Sequence, residues 1–386
     1  MDAIIRQAKD FDTKLALNLC RKQIYVCTST ITFHIEEAEL TTRNKTNRKL
    51  TNNRCQKLKL ELENFRGIKQ GSITLGDLNI LIGANNAGKT TILESLFLAP
   101  NPLRDVYNKP AIDIIRLLHS TLGSTASISI LHNYSSKTAS IICTINEQRL
   151  EVKFQRKGSV IEVGMVEDGT TSIIGELEVS GGWKSRVFGV ESKVVGEALY
   201  FHPFLIKDIW RYFSYNWVEY RALGLTSRIA EKISEGVAEG YDDLLLEPFI
   251  GGEQTIYLRS RDGRGVRLGD VGSGVQVLIT LMLLHESIKP RMMLIDDVES
   301  HMNPYLLMRT TRWFSEILEG GTRLVISTHS LEAAEYIAKT LEEHKPQIIL
   351  LALRNGILST KTLTTEELEE VEKAGIDPRV AEGVLI

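Results

Sequence analysis

The sequence predicts an α/β fold in which a mixed sheet carries an inserted lobe rich in strands and helices. Two observations predict this class: short apolar segments typical of buried strands recur along the 386 residues, and several of them lead directly into helical patterns. The composition, 43% hydrophobic and 25% charged, is that of a globular protein. A formal net charge of -3 gives no reason to expect a surface coated with nucleic acid, although a local basic patch would suffice to bind one.

Residues 1–56 are interpreted as an N-terminal extension with a basic linker. Basic residues without an intervening carboxylate lie in its second half and just beyond it: Arg43, Lys45, Arg48, Lys49, Arg54, Lys57 and Lys59. They form either a basic arm that contacts phosphates or a solvated linker, and we favour the linker because runs of like charge are usually exposed. A third interpretation is that the natural start lies further downstream.

The cysteines give no sign of a disulfide framework or a metal site. There are four of them, without a C-x-x-C pair or a histidine at zinc spacing: Cys20, Cys27, Cys55 and Cys143. We therefore expect buried or inert thiols. Because no apolar run reaches membrane-spanning length and no signal-peptide pattern opens the chain, we expect a cytoplasmic, reducing compartment and no membrane partner.

The first predicted lobe segment, residues 57–102, contains three strands and a helix. The predicted strands cover residues 58–63, 72–75 and 78–82. A turn at residues 64–67 joins the first two. The helix is predicted from about residue 88 to 98, where Pro100 and Pro102 stop it.

Between the third strand and this helix lies the Walker A pattern G-x-x-x-x-G-K-[ST], written here as GANNAGKT at residues 83–90. Its glycines let backbone N–H groups point at phosphate oxygens, and the positive end of the helix adds to that field. Lys89 is expected to reach the β- and γ-phosphates of ATP, and the Thr90 hydroxyl to bind Mg²⁺. The residues expected to bind ATP are Gly83, Asn85, Asn86, Ala87, Gly88, Lys89, Thr90 and Thr91. The alternative, a glycine-rich turn without a ligand, is disfavoured by the strand before it and the helix after it.

The second predicted segment, residues 103–264, is the inserted lobe. Strands are predicted at residues 126–131, 139–145, 150–154 and 160–166. Residues 204–240 are helical in character and rich in aromatic side chains, which could stack on bases but more often pack between helices. A hairpin of residues 255–258 and 266–268 turns on Asp262 and Gly263.

The third segment, residues 265–386, contains a Walker B pattern. The apolar strand at residues 292–295 ends in Asp296 and Asp297. Asp296 is expected to hold Mg²⁺, and Asp297 stands where a general base could orient the attacking water. Many buried strands end in aspartate, so the pattern is specific only in combination with the Walker A loop upstream.

Two further motifs flank the Walker B strand. Residues 270–276, DVGSGVQ, open a helix predicted at 275–288, where a Gly-Ser-Gly turn could bind an anion or Ser273 could simply cap the helix. Residues 327–330, STHS, follow a strand at 324–326, and His329 there is either a sensor of the γ-phosphate or a structural histidine. Beyond it, residues 347–353 and the Asn355-Gly356 turn predict a last hairpin, and Thr364 with Glu367 predicts a capping box on a C-terminal helix.

The order of these motifs resembles the ABC-type ATPase family, in its SMC/RecF/OLD-like branch of AAA ATP-binding proteins. The segments LELENFRG (60–67), LIGANNAGKT (81–90) and IDDVESHMNP (295–304) are similar to the opening, the Walker A loop and the Walker B with D-loop of that branch. The resemblance implies a P-loop NTPase fold, an ABC-ATPase head that dimerises around two ATP molecules. It further implies that Arg66 binds ATP, that His329 senses the γ-phosphate of its own chain, and that a signature contacts the partner's ATP through Gly272, Ser273, Gly274 and Gln276.

The sequence departs from the family pattern at three points. Val275 replaces the second signature glycine, and Asp297 replaces the usual glutamate after the Walker B aspartate, so Glu299 is an alternative catalytic carboxylate. The family's Q-loop glutamine has no clear counterpart. Neither a long coiled coil nor room for a Toprim nuclease domain after His329 is expected.

The resemblance implies ATP hydrolysis in DNA repair or phage defence, with DNA and a separate effector protein such as a nuclease as partners. The alternative is a slowly hydrolysing, nucleotide-dependent switch or scaffold, which the shorter Asp297 favours. An ABC transporter subunit is disfavoured by the NFRG opening and by the DVGSGVQ form of the signature.

Overall fold

A mixed sheet of 13 strands runs through the part of the chain that the computed structural model describes, namely residues 56–121, 126–185, 192–235 and 240–379. The predicted extension up to residue 55, with three of the four cysteines and the basic residues other than Lys57 and Lys59, lies outside these residues. Its role as arm or linker therefore stays a prediction.

The strands are β1 (Leu58–Phe65), β2 (Ile68–Leu75), β3 (Leu78–Ile82), β4 (Asp105–Val106), β5 (Lys109–Pro110), β6 (Thr138–Ile145), β7 (Gln148–Lys157), β8 (Val160–Glu167), β9 (Thr170–Glu178), β10 (Trp183–Ser185), β11 (Ala198–Phe201), β12 (Tyr241–Pro248), β13 (Gln254–Ser260), β14 (Gly265–Arg267), β15 (Met292–Ile295), β16 (Arg323–Ser327), β17 (Gln347–Arg354) and β18 (Ile357–Leu363). The helices are α1 (Lys89–Leu98), α2 (Ala111–Leu118), α3 (Ile206–Ala222), α4 (Leu225–Ser234), α5 (Ser273–Ile288), α6 (Pro304–Glu319), α7 (Leu331–Thr340) and α8 (Thr365–Lys373).

One half of the large sheet is parallel, in the order β17-β3-β16-β15-β11. Every residue of β3 and β15 is buried, as expected for parallel strands that are covered on both faces. Between β11 and β15 the chain forms α3 to α5 and the small sheet β12-β13-β14. Helix α5 is apolar nearly all round and largely buried, as its sequence predicts.

The other half is antiparallel, in the order β10-β9-β8-β7-β6-β1-β2. Strand β1 alternates buried and exposed residues and pairs with both β2 and β6. Strand β18 pairs parallel with β2 and antiparallel with β17, and so joins the two halves. Strands β6 to β11 of the segment predicted as an inserted lobe are thus hydrogen-bonded into the same sheet as the Walker A strand, whereas β4 and β5, and β12 and β13, belong to two smaller sheets.

Most predicted elements are confirmed, and one is wrong. Residues 126–131, predicted as a strand, contain a 3₁₀ turn at Ser127–Ile130. The Ser129 hydroxyl donates to the Ala126 carbonyl, a local bond that competes with strand pairing, and only Leu131 forms an isolated bridge, to Phe65. Helices α2, α6 and α7 and strands β9 to β12 escaped the sequence prediction, although Asn303 and Pro304 are a clear start signal for α6.

The predicted helix cap, the inert cysteine and the packing of the aromatic side chains all fall on described residues. The capping box of Thr364 and Glu367 is confirmed at α8. Cys143 is buried, and burial raises the pKa of its thiol to about 12, as expected of an inert cysteine. Of the aromatic cluster in α3, Phe213 and Trp217 are buried, which confirms core packing for them, whereas Tyr215 is exposed. None of the helices in the described residues combines the length and apolar character that a membrane crossing requires.

Candidate functional site

The predicted motifs meet because three parallel strands end at one edge of the sheet. Strand β16 lies between β3 and β15, and its Ser327 pairs with Leu81 while its Ile326 pairs with Ile295. The Walker A loop, the Walker B carboxylates and the STHS segment each begin at the carboxyl end of one of these strands. Such an edge is the usual ligand site of an open α/β sheet.

The Walker A loop is shaped by two glycines in the left-handed region. Gly83 has φ 149°, and a Cβ at this position would lie 2.6 Å from the carbonyl oxygen of Leu351. Gly88 has φ 98° and is the N-cap of α1, without a side-chain hydrogen bond from any described residue. The N–H groups of the first turn of α1 are therefore available to an anion.

Lys89 is held inside this loop. Only 5% of it is exposed, and its Nζ donates to the carbonyl oxygens of Gly83 at 2.9 Å and Ala84 at 3.2 Å. Burial lowers the pKa of Lys89, and the negative charges of Asp297 and Asp296 oppose that shift. The ammonium group thus lies in the field of the Walker B carboxylates.

A cleft of about 730 Å³ opens beside the loop. The predicted site residues that line it are Arg66, Asn85, Asn86, Ala87, Gly88, Lys89, Thr90, Thr91 and His329. His119, Leu131 and Tyr134, which the sequence did not single out, complete part of the wall. The Walker B carboxylates and the signature residues are not among the side chains of the described residues that line it.

Arg66 lines the cleft, and an ion pair with a buried carboxylate holds its guanidinium group in place. Its Nε lies 2.9 Å from Oε2 of Glu94, a fully buried residue of α1, and His119 contacts the other carboxylate oxygen. The Nη1 of Arg66 is buried and has no hydrogen-bond partner among the described residues. The signal that could have revealed Glu94 is that it is the only carboxylate of α1, placed directly after Ile92 and Leu93.

Asp296 is the most buried carboxylate of the Walker B segment, with 1% exposed. The hydroxyl of Tyr200 donates to its Oδ2 at 2.9 Å, and the hydroxyl of Ser327 donates to its Oδ1. Burial first, and Asp296 second, hold the pKa of Tyr200 well above its usual range. Tyr200 and Ser327 orient Asp296, and neither was identified as a site residue from sequence.

Asp297 and Glu299 both contact the segment that contains His329. Asp297 has φ 51°; its N–H donates to Ser327 Oγ at 2.9 Å and its Oδ1 lies 3.4 Å from His329 Nε2. Burial and the neighbouring Asp296 raise the pKa of Asp297. Glu299 accepts the His329 N–H through Oε1 at 2.7 Å, while its Oε2 is buried without a partner in the described part of the chain.

His202, the first residue after β11, is a further polar group beside the Walker B strand that the sequence did not single out. Burial lowers its pKa, and the charges of Asp296 and Asp297 oppose the shift, which places it in the field of the Walker B carboxylates.

The signature turn lies outside the cleft. Gly272 is the N-cap of α5 and Ser273 its first residue; both are exposed, and no side chain among the described residues caps the helix. A Cβ on Gly274 would lie 2.5 Å from the carbonyl oxygen of His301, so this glycine permits close packing on the D-loop. Gln276 Nε2 donates to the Val271 carbonyl at 2.8 Å and closes the turn.

Two family models match the chain. Residues 58–179 match a model described as "AAA ATPase domain", and residues 171–335 match one described as "AAA domain, putative AbiEii toxin, Type IV TA system". No curated protein matches the chain at a significant level. These matches confirm the resemblance to ATP-binding proteins of the AAA type.

Solved structures of SMC heads have a similar fold. The SMC head bound to the C-terminal winged-helix domain of ScpA is 14% identical, covers 81% of this chain and 98% of its own, and has a TM-score of 0.51. The SMC head domain from Thermotoga maritima is 16% identical, covers 79% and 98%, and has a TM-score of 0.47. The first of these likenesses confirms the predicted P-loop NTPase fold of an ABC-ATPase head.

Proposed function

We propose that this chain binds ATP with Mg²⁺, hydrolyses it, and forms a dimer around two ATP molecules. One observation carries the proposal: the Walker A lysine, the Walker B carboxylates and the STHS histidine come together at the ends of adjacent parallel strands, beside a cleft large enough for a nucleotide.

Each part of the site has a role in holding the triphosphate. The amides that follow Gly88 and the ammonium group of Lys89 bind the β- and γ-phosphates, because both are donors in a largely buried loop. Arg66 has a buried, unpartnered Nη1 among the described residues and is suited to a further phosphate oxygen.

The donor set at the loop fits Mg²⁺. Thr90 offers a hydroxyl and Asp296 a carboxylate that Tyr200 and Ser327 orient by hydrogen bonds, and hard oxygen donors are what Mg²⁺ prefers. When bound, the ion neutralises charge that develops on the phosphates. Asp297 or Glu299 would orient the attacking water, and His329, which lines the cleft and whose Nε2 lies 3.4 Å from Asp297 Oδ1, would contact the γ-phosphate.

The exposed signature turn supports dimerisation. Gly272 and Ser273 are exposed at the N-terminus of α5, which no side chain of the described residues caps. Neither residue lines the cleft of its own chain. A second copy that placed this turn over the cleft would add donors to the γ-phosphate. ATP would then stabilise the closed dimer, because only that state makes both sets of contacts.

The proposed setting is the cytoplasm, in DNA repair or phage defence with a separate effector protein such as a nuclease. The name of the second family model, which refers to a toxin–antitoxin system, supports defence, and the solved SMC head bound to ScpA supports a protein partner. A slowly hydrolysing switch is the second candidate, favoured by the short Asp297 side chain, which lies against His329 rather than lining the cleft.

The test is ATP turnover by the purified protein, with and without double-stranded DNA, at low and moderate salt, together with its molar mass in solution with ATP. Turnover with an ATP-dependent dimer supports the ATPase, and stimulation that weakens with salt supports DNA as a partner. ATP binding and dimerisation without turnover would support the switch. Absence of ATP binding would refute both.

A further inference from the structure

The segment after α8 ends in an aspartate–arginine pair of fixed geometry. The backbone N–H and the Nε of Arg379 both donate to Asp377 Oδ1 at 2.9 Å, and its Nη2 donates to Asp377 Oδ2 at 2.7 Å. The arginine side chain remains 32% exposed. Two parallel N–H···O bonds to one carboxylate leave the guanidinium plane little freedom, so its remaining Nη1 points in a defined direction.

That free end contacts the STHS segment. Arg379 Nη1 donates to the carbonyl oxygen of His329. The N–H of the same histidine donates to Glu299 Oε1 at 2.7 Å, and its imidazole Nε2 lies 3.4 Å from Asp297 Oδ1. The main chain at His329 is thus held on one side by the D-loop carboxylate and on the other by the end of the chain that the structure describes.

The charge of Arg379 also reaches the phosphate-binding end of the site. Burial is the main cause of the lowered pKa of Lys89, and the positive charge of Arg379 contributes in the same direction. Arg379 thus acts electrostatically on the lysine of the loop proposed to hold the triphosphate, although it belongs to none of the predicted nucleotide-binding motifs.

We propose that Asp377 and Arg379 form a positioning pair that fixes His329 for γ-phosphate sensing. The inference rests on the proposed ATPase function and adds to it a dependence on the segment that follows α8. The pair acts through the histidine main chain: it fixes where the imidazole lies relative to Asp297, and a misplacement of about 1 Å at such a site can cost about 100-fold in rate.

The test compares Arg379→Gln with a matched control in the same protein. Arg264 makes the same kind of pair with Asp262, through its backbone N–H at 3.1 Å and its Nε at 2.7 Å, but on the turn between β13 and β14. Arg379→Gln is expected to lower kcat about 10- to 100-fold with ATP affinity and melting temperature unchanged. Arg379→Lys should recover part of the rate, and Arg264→Gln should leave it unchanged.

Two readouts separate positioning from a structural role. In the His329→Ala background, Arg379→Gln should cause no further loss, since coupled residues give non-additive effects. Amide exchange of residues 327–331 should be faster in Arg379→Gln than in wild type. Wild-type kcat in Arg379→Gln, or a full additional loss in the double variant, would overturn the inference. If the wild type does not turn over ATP, the proposed ATPase function fails. The amide-exchange experiment then tests the Asp377–Arg379 pair by itself, and unchanged exchange of residues 327–331 in Arg379→Gln would overturn the inference.

Discussion

The Walker A loop and the signature turn use the same structural device in two different surroundings. Each is a glycine-containing turn that opens a helix, α1 or α5, and neither helix has a side-chain cap from the described residues. In the first, Lys89 is buried at the start of the helix, in the field of Asp296 and Asp297. In the second, Gly272 and Ser273 face solvent.

The difference supports the proposal that the Walker A loop is pre-formed for an anion within its own chain, whereas the signature turn would meet an anion held by a second molecule. Gly83 cannot accept a Cβ, because the loop is packed against Leu351, whereas a Cβ on Gly272 would meet no described atom within 4 Å. A turn packed this tightly is fixed before a ligand arrives. An exposed turn with the same donors is suited to meeting a ligand that is held by another molecule, and this is the physical basis of the proposed dimer.

The largest effect on turnover is expected at the hydrolytic site, which in the proposed dimer combines the Walker A loop of one copy with the signature turn of the other. Asp297→Asn removes the proposed base and should lower turnover by about 10²- to 10⁴-fold while ATP still closes the dimer, which would then persist. The measurement is single-turnover hydrolysis together with molar mass in solution. The matched variant is Glu299→Gln, whose amide oxygen can still accept the His329 N–H. If Glu299→Gln traps the dimer and Asp297→Asn does not, the base is Glu299.

The first region alone is tested by Lys89→Ala. Loss of a buried cation that contacts phosphate should weaken ATP binding by about 2–5 kcal/mol, measured by titration calorimetry. Lys361→Ala, at an exposed position of β18, is the control and should bind ATP like the wild type. Tight ATP binding by the Lys89 variant would remove the Walker A interpretation.

The second region alone is tested by Ser273→Arg. A bulky side chain on the exposed turn should leave ATP binding by the monomer intact but prevent the ATP dimer and lower turnover about 10²- to 10³-fold, as loss of a transition-state donor does. Mixing this variant with Lys89→Ala should restore part of the activity, because one composite site of the mixed dimer is intact. No recovery on mixing would mean that the signature does not act on a partner's ATP.

The smallest expected effect is a difference between the two turns in how much an alanine substitution lowers the free energy of unfolding. Gly83→Ala should lower the free energy of unfolding by about 1–3 kcal/mol, since its φ of 149° and the 2.6 Å approach to Leu351 both resist a side chain. Gly272→Ala, at φ -54°, should change it by less than about 1 kcal/mol in either direction. Thermal unfolding of the two variants measures this contrast, and equal shifts would contradict it.

Local patterns were sufficient for most elements. The strands at Leu78–Ile82 and Met292–Ile295 were predicted at their observed limits, because short, mainly apolar runs bounded by glycine or aspartate have few alternatives. Residues 126–131 were predicted wrongly, since alternating serine and isoleucine fits a strand as well as a turn in which the hydroxyls bond locally. Of the residues that support Asp296 and Arg66, Ser327 lies in the STHS motif without having been assigned this role, and Tyr200 and Glu94 belong to no sequence motif.

The sequence by itself determined the loop chemistry: where glycines allow the backbone N–H groups to point at phosphate, where a lysine follows them, and which strand ends in two carboxylates. These properties depend on neighbours a few residues away, so they can be read from the chain. Only the tertiary structure decided that β16 lies between β3 and β15, that Tyr200 reaches Asp296, and that Arg379 reaches His329. Such contacts join residues far apart in sequence, and they depend on strand order and packing, which no local pattern encodes.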